Sequence, residues 1–297
     1  QVLIRVGLAN VNPSDLHFIK GEYGIARVKG AAAGFEAMGV VVAAGDGAER
    51  LVARRVGFVG GVTGAWAEYA VADASAVVPV SDKVRDEDAA ALFVNPLTAI
   101  AMFGEVQRCE GRAFIMTAAA SQLCKLIADL AREEGYQAIG VVRRPEHGET
   151  LRAHGVAHVL VSSSPGFASE AAGVIRELKP RIMLDAVADQ VAAGLFFAMP
   201  ARARWLIYGK LSTESPVLEQ AGQFVFLEKR IEGFWLTKWL RQSPPEVVKA
   251  AGATVQQRFA SGAWHTDVAA IVDLGDAHGR LPAALAGANR GKGMIRP

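Results

Sequence analysis

From Asn95 onward the sequence alternates short apolar runs with segments of helical periodicity, and this rhythm constrains the fold more than any other feature. Residues 113–117, 138–142, 158–161, 181–187, 204–208 and 231–236 read as strands. Between them, Leu123, Leu126, Ile127 and Leu130 make one apolar helical face, and 146–154, 168–178 and 190–199 read as helices. Apolar strands separated by helices fold as a parallel, doubly wound sheet with right-handed crossovers. An α/β fold is therefore predicted, with a Rossmann-type domain over 95–237. The preceding residues differ. Runs at 2–6, 40–44, 55–59, 67–71 and 76–80, punctuated by Gly45-Asp46-Gly47, Gly60-Gly61, Gly64 and Pro79, predict a small β-barrel or sandwich. Asn95-Pro96 is predicted to cap and open the first helix of the second domain. Residues 244–259 read as a further helix, and 271–297 as mixed short elements.

Composition narrows the class. The 297 residues carry a net charge of +2, with Lys and Arg interspersed among Asp and Glu, so no basic stripe for nucleic acid is expected. No apolar run reaches the roughly 18 residues of a membrane span. Two cysteines, Cys109 and Cys124, fit a reducing compartment, and the cytoplasm is the expected location. The first residues already read as a strand, so an upstream segment is expected.

The first βα turn of a doubly wound sheet cradles a pyrophosphate at a helix N-terminus. Here it reads Thr117-Ala118-Ala119-Ala120-Ser121-Gln122-Leu123-Cys124, without the usual glycines. A Cβ holds phosphate away from the backbone and makes positive φ costly. Ser121 either caps the helix alone or also donates to a phosphate, with Ala120, Gln122 and Leu123 completing the candidate cradle. Cys124 stands where the last glycine normally packs helix on strand, and reads as a small packing residue. The second strand ends in Arg143-Arg144. An acid there serves the ribose 2′-OH of NAD, whereas guanidinium groups hold a 2′-phosphate bidentately. The position favours NADPH over a pair of solvated loop arginines.

Several segments resemble the medium-chain dehydrogenase/reductase superfamily, and within it the zinc-free quinone oxidoreductase and 2-enoyl thioester reductase branch. They are Val11-Asn12-Pro13-Ser14-Asp15, Gly34-Phe35-Glu36 with Gly39, Asn95-Pro96-Leu97-Thr98-Ala99, Gly233-Phe234-Trp235-Leu236 and Gly291-Lys292. The resemblance implies a discontinuous GroES-like β-barrel domain, 1–94 with 238–297, whose first strands precede Gln1. Zinc-dependent relatives place a Cys where this chain has Asn12 and a His where it has Phe35. Phe offers a metal no lone pair and Asn is a poor zinc ligand, so no metal is expected.

Without a metal the substrate must carry its own electron sink, as quinones and α,β-unsaturated carbonyls do. The expected activity is NADPH-dependent reduction of such a small molecule. Tyr23 aligns with the Gly-x-Tyr loop that supplies a catalytic Tyr in the enoyl reductase branch; it either donates a proton or merely packs its ring. Asn95 and Thr98 are placed to line the cleft, or to serve as cap and helix hydroxyl. Tyr208, Gly209 and Lys210 stand where family members hold the nicotinamide side of the cofactor. Phe234 and Trp235, with Trp239, wall an acyl pocket or pack in a core or dimer contact. Arg27 and Lys29 are candidates for the phosphates of a CoA thioester. The sixth strand pairs across a two-fold in relatives, which implies a homodimer. The alternative is a non-catalytic, crystallin-like member that binds NADPH or serves a structural role. Asp185 and Asp189 read as turn and cap residues.

Overall fold

Val2, Ile4, Val6 and Leu8 alternate inward along β1 (Val2–Asn10), the spine of a seven-stranded mixed sheet. The computed structural model describes residues 1–26, 30, 32–61, 63–286 and 291–297. In it β1 pairs antiparallel with β2 (Glu36–Ala44) on one side. β4 (Tyr69–Ala72) and β13 (Lys292–Arg296) pair with it on the other. The order is β12 (Val268–Asp273), β13, β1, β2, β3 (Arg55–Val59), β5 (Val77–Pro79). Val41, Val56, Phe58 and Ile295 join the β1 side chains in its core. Helices α1 (Pro13–Lys20), α2 (Asp86–Ala90), α10 (Pro245–Ala260) and α11 (Ala277–Ala286) belong to this unit, which comprises Gln1–Thr98 and Pro244–Pro297.

The second unit, Ala99–Ser243, holds a six-stranded sheet. Its strands are β6 (Ala113–Met116), β7 (Gln137–Val142), β8 (Val156–Val161), β9 (Ile182–Asp185), β10 (Arg204–Ile207) and β11 (Arg230–Gly233). All pairs are parallel, in the order β8-β7-β6-β9-β10-β11, the doubly wound arrangement expected from the sequence. Between them run α4 (Gln122–Glu133), α5 (Gly148–Ala153), α6 (Phe167–Leu178), α7 (Gln190–Ala198) and α8 (Gly222–Phe226). Ile115, Ile139, Val141, Met183, Phe196 and Trp205 form the core. The two remaining helices are α3 (Val94–Gln107), which begins in the first unit, and α9 (Leu236–Gln242). The units part at 98/99 and 243/244, where the reading above places 94/95 and 237/238. No helix among the described residues is long and apolar enough to cross a membrane.

Three local expectations need correction. The last strand of the parallel sheet ends at Gly233, and Phe234-Trp235 lead into α9, whereas the apolar run predicted a strand to 236. Asn95 is not the N-cap of α3: the helix already runs from Val94, because a carboxylate from elsewhere takes the amides at its start. The β-rich reading of the first part also passes over α1 and α2.

Candidate active site

In the first unit the polar chemistry is buried. Gly34, at φ +96° with no room for a Cβ beside Trp66, turns the chain into Phe35 and Glu36. Glu36 has no solvent exposure and accepts four hydrogen bonds. The side-chain amides of Asn10 and Asn12 donate to Oε1 at 2.7 and 2.8 Å. The backbone N–H groups of Phe93 and Val94 donate to Oε2 at 2.9 and 3.0 Å. Asn12 Oδ1 in turn accepts from the buried ammonium of Lys292 at 2.6 Å. Asp15 lies alongside, accepting the N–H of Asn12 at 2.7 Å and of Phe35 at 2.8 Å. Burial pushes the Asp15 carboxyl up to about 7, against those two donors, with Glu36 adding to the rise. Desolvation brings the Lys292 ammonium down to about 8.

Tyr23 lies just beyond α1, its ring 5.2 Å from that of Phe35, which also meets Phe18 at 5.6 Å. The predicted catalytic residues are thus linked within one unit. Tyr23 rests on Phe35, the neighbour of Glu36, and Glu36 holds the start of α3, whose first turns carry half-buried Asn95 and buried Thr98. Arg27 and Lys29 lie outside the described residues.

In the second unit the strand order reverses between β6 and β9, and the predicted phosphate turn follows β6 there. Ala118 carries the left-handed backbone of a tight turn, φ +46°, without being glycine. Ser121 caps α4, its hydroxyl accepting the Cys124 N–H at 3.3 Å. Ala120 is half-buried, while Gln122, Leu123 and Cys124 are buried. Tyr208, partly exposed as a residue, sets its hydroxyl 3.5 Å from Cys124 Sγ. Burial raises both groups above their usual values, the phenol strongly, so both stay protonated. Gly209 runs against Ala186, whose carbonyl oxygen would stand 2.9 Å from an added Cβ. Lys210 is exposed; Phe234 and Trp235 are half-buried. Arg143 and Arg144 follow β7 and are exposed; Arg144 pairs with Glu146 at 3.4 Å.

The sequence reading missed a hub. Asp185 is fully buried, not a turn residue. It accepts from the Thr117 hydroxyl, the Trp205 indole N–H at 2.7 Å, and the backbone N–H groups of Val187 at 2.9 Å and Ala188 at 3.1 Å. Thr117 also accepts the Ala186 N–H at 3.0 Å. The hub ties the phosphate turn to the end of β9. Its sequence signal is an acid closing one strand and a hydroxyl closing its future neighbour. Asp189 does cap α7, through the Ala192 N–H at 2.9 Å.

Residues 1–82 match the alcohol dehydrogenase GroES-like domain. Over its full length the chain is 50% identical to a Mesorhizobium loti protein assigned as an NADPH:quinone reductase, covering 86% of that structure with a TM-score of 0.94. The chain belongs to the medium-chain dehydrogenase/reductase superfamily, in its quinone oxidoreductase and 2-enoyl thioester reductase branch. This branch of the superfamily also includes bovine mitochondrial enoyl-[acyl-carrier-protein] reductase, 26% identical over 261 residues that span 84% of this chain and 68% of that protein. The Thermus thermophilus quinone oxidoreductase, whose structure was also solved with NADPH, shares the superfamily fold at 22% identity and TM-score 0.80, covering all of this chain and 91% of that one. As a superfamily member of this branch, the protein is an oxidoreductase of the quinone/enoyl reductase type.

Proposed function

We propose that the protein is an NADPH-dependent reductase of conjugated acceptors, either quinones or α,β-unsaturated carbonyls and enoyl thioesters, and that it works without a metal. The observation that carries this reading is the phosphate turn. It keeps the left-handed residue at Ala118 and the capped helix start at Ser121, although the glycines are gone. The side chain of Cys124 fits beneath the turn, its Sγ 3.6 Å from the Thr117 carbonyl, rather than into the cradle. The turn therefore fits a dinucleotide, with Ala120, Ser121, Gln122 and Leu123 on its pyrophosphate and exposed Arg143 and Arg144 on a 2′-phosphate. Tyr208, Gly209, Lys210, Phe234 and Trp235 serve its nicotinamide half.

The donor set argues against zinc. Phe35 offers no lone pair, and the Asn12 side chain is already engaged with Glu36 and Lys292. When bound, the dihydronicotinamide supplies a hydride, which without a Lewis acid is taken most readily by an acceptor with its own electron sink. Tyr23 then supplies the proton that the reduced substrate needs at its α-carbon. Phe35 fixes the ring, and Asn95 and Thr98 position the substrate from the start of α3.

Association as a homodimer is part of the proposal. Among the described residues β11 ends the parallel sheet with no further strand on its outer edge, and Ile231 within it and Val225 and Phe226 in the preceding helix α8 are exposed, Phe226 to 83%. The free cysteines Cys109 and Cys124 fit a reducing compartment such as the cytoplasm.

The test is Tyr23→Phe in chelator-treated enzyme, assayed with the best substrate among quinones, enones and crotonyl-CoA. Turnover is expected to fall about 100-fold, with treated and untreated wild type equal. Unchanged turnover in the variant removes Tyr23 from the chemistry. Activity lost to the chelator and restored by zinc removes the metal-free reading.

A further inference from the structure

The start of α3 is held in an unusual way. The first N–H groups of a helix are commonly capped by a side chain just before it in sequence. Here the N–H groups of Phe93 and Val94 both go to Glu36, from a strand more than fifty residues earlier. The other oxygen of Glu36 is fixed by two asparagine amides, so the carboxylate cannot rotate without breaking buried bonds. Asn12 can offer its amide to Glu36 only while its oxygen faces a donor; the Lys292 ammonium is the short one at 2.6 Å, and the Asn10 amide, already committed to Glu36, reaches the same oxygen only at 3.4 Å. A chain of hydrogen bonds thus runs from the C-terminal strand β13 through the end of β1 and the start of β2 to the first turn of α3. The charges facing Lys292 are Glu36 and Asp15. Lys292 is therefore the one cation set against two buried carboxylates among the described residues of this network. Removing it leaves the Asn12 oxygen with only the long bond from Asn10, weakens the hold on the orientation of the amide, and loosens Glu36.

We propose that Lys292 is a positioning residue that acts through Asn12 and Glu36 to set the first turn of α3, and with it Asn95 and Thr98. The structural half stands on the hydrogen bonds alone; the consequence for turnover rests on the reductase reading above.

The experiment follows amide hydrogen exchange of the full chain in Lys292→Met, Glu36→Gln and the double variant. In Lys292→Met the Phe93 and Val94 amides are expected to exchange about tenfold faster, the equivalent of one weakened hydrogen bond, while the β6 amides of Phe114 and Ile115 keep their rates. In the Glu36→Gln background, Lys292→Met is expected to add nothing, because the connection is already cut. With an accepted substrate, kcat is expected to fall while the KM for NADPH holds, since the proposed cofactor residues lie in the other unit. Should Lys292→Met fail to fold, Lys292→Gln, which can still donate to Asn12, takes its place with the same expectation at smaller amplitude. Unchanged Phe93 and Val94 exchange in the folded variant, or equal acceleration with and without Glu36→Gln, overturns the proposal. If no acceptor is reduced at all, the reductase reading fails and the exchange arm still decides this one.

Discussion

Glu36 and Asp185 make an instructive pair. Both are carboxylates without solvent exposure, and each accepts four hydrogen bonds from uncharged donors. Each sits where its unit carries the proposed chemistry, one next to the proposed catalytic residues and one next to the proposed phosphate turn. They differ in what stands next to them. Glu36 connects through Asn12 to a buried ammonium and has a second buried carboxylate, Asp15, beside it. Asp185 is enclosed by a hydroxyl, an indole and two backbone amides, with no cation in its bonding set. Four donors suffice to bury a carboxylate, since they fill its acceptor sites. The extra ions around Glu36 therefore do something other than satisfy it: they make that region sensitive to protonation.

The largest effects should come from removing either acceptor. Asp185→Ala and Glu36→Ala each orphan four donors, at about 1–3 kcal/mol apiece if none finds a new partner. Even partial relaxation leaves a loss of several kcal/mol, against a total stability of about 5–15 kcal/mol. Urea titration is expected to show comparable losses for both. A loss confined to Glu36→Ala would break the parallel.

Next in size is the response to pH. Folded Asp15 keeps its proton up to about 7, whereas the unfolded carboxyl releases it near 3.8. Its stabilising contribution is complete below that lower value and is lost as pH rises through 7. Lys292, and Lys229 in the second unit, have folded values near 8 against 10.5 unfolded. The folded chain sheds their protons first, so stability recovers as pH rises from about 8 to 10.5, by at most about 3 kcal/mol per lysine. Lys229 donates to the Phe196 and Phe197 carbonyls near the end of α7 and is lowered by burial alone. Chemical denaturation across this range should show a shallow minimum near neutrality. Asp15→Asn should flatten only the acid arm, and Lys229→Met only part of the alkaline arm. An acid arm that survives Asp15→Asn would sever the link between ionic surroundings and pH response.

The smallest effect lies in the phosphate turn. Ala118→Gly relieves a left-handed alanine and should stabilise the second unit by about 1 kcal/mol or less, after the entropy glycine adds to the unfolded chain. A higher melting temperature at unchanged cofactor affinity is the expected result. A lower one would mean that the alanine contributes packing the turn needs.

The doubly wound sheet is legible because its central strands β6, β7 and β9 are buried along almost their whole length and read as apolar runs. The helix α1 was equally available: Asn12, Pro13 and Asp15 at one end and Gly21 at the other form a full set of start and stop signals, hidden by the strands around them. The sequence places the start of α3 two residues late, at Pro96 instead of Val94, because its capping carboxylate comes from Glu36, a contact no local pattern can encode. Tyr23 follows from family resemblance, which marks the Glu36 segment without giving it a role, whereas Arg143 and Arg144 follow from strand position and phosphate chemistry. Asp185 was passed over because an acid at a strand end is ordinarily a turn residue. Only the adjacency of β6 and β9, a product of strand order, brings Thr117 to it.

The most direct test of the central claim is the initial rate of reduced-cofactor oxidation with quinones, enones and crotonyl-CoA, using NADPH and NADH in parallel. The account predicts turnover with at least one class of acceptor and a clear preference for NADPH. It also predicts that Arg143→Glu with Arg144→Glu raises the KM for NADPH about tenfold or more while leaving NADH nearly unaffected. Failure of NADPH to reduce any acceptor, or equal use of both cofactors by the wild type, would contradict it.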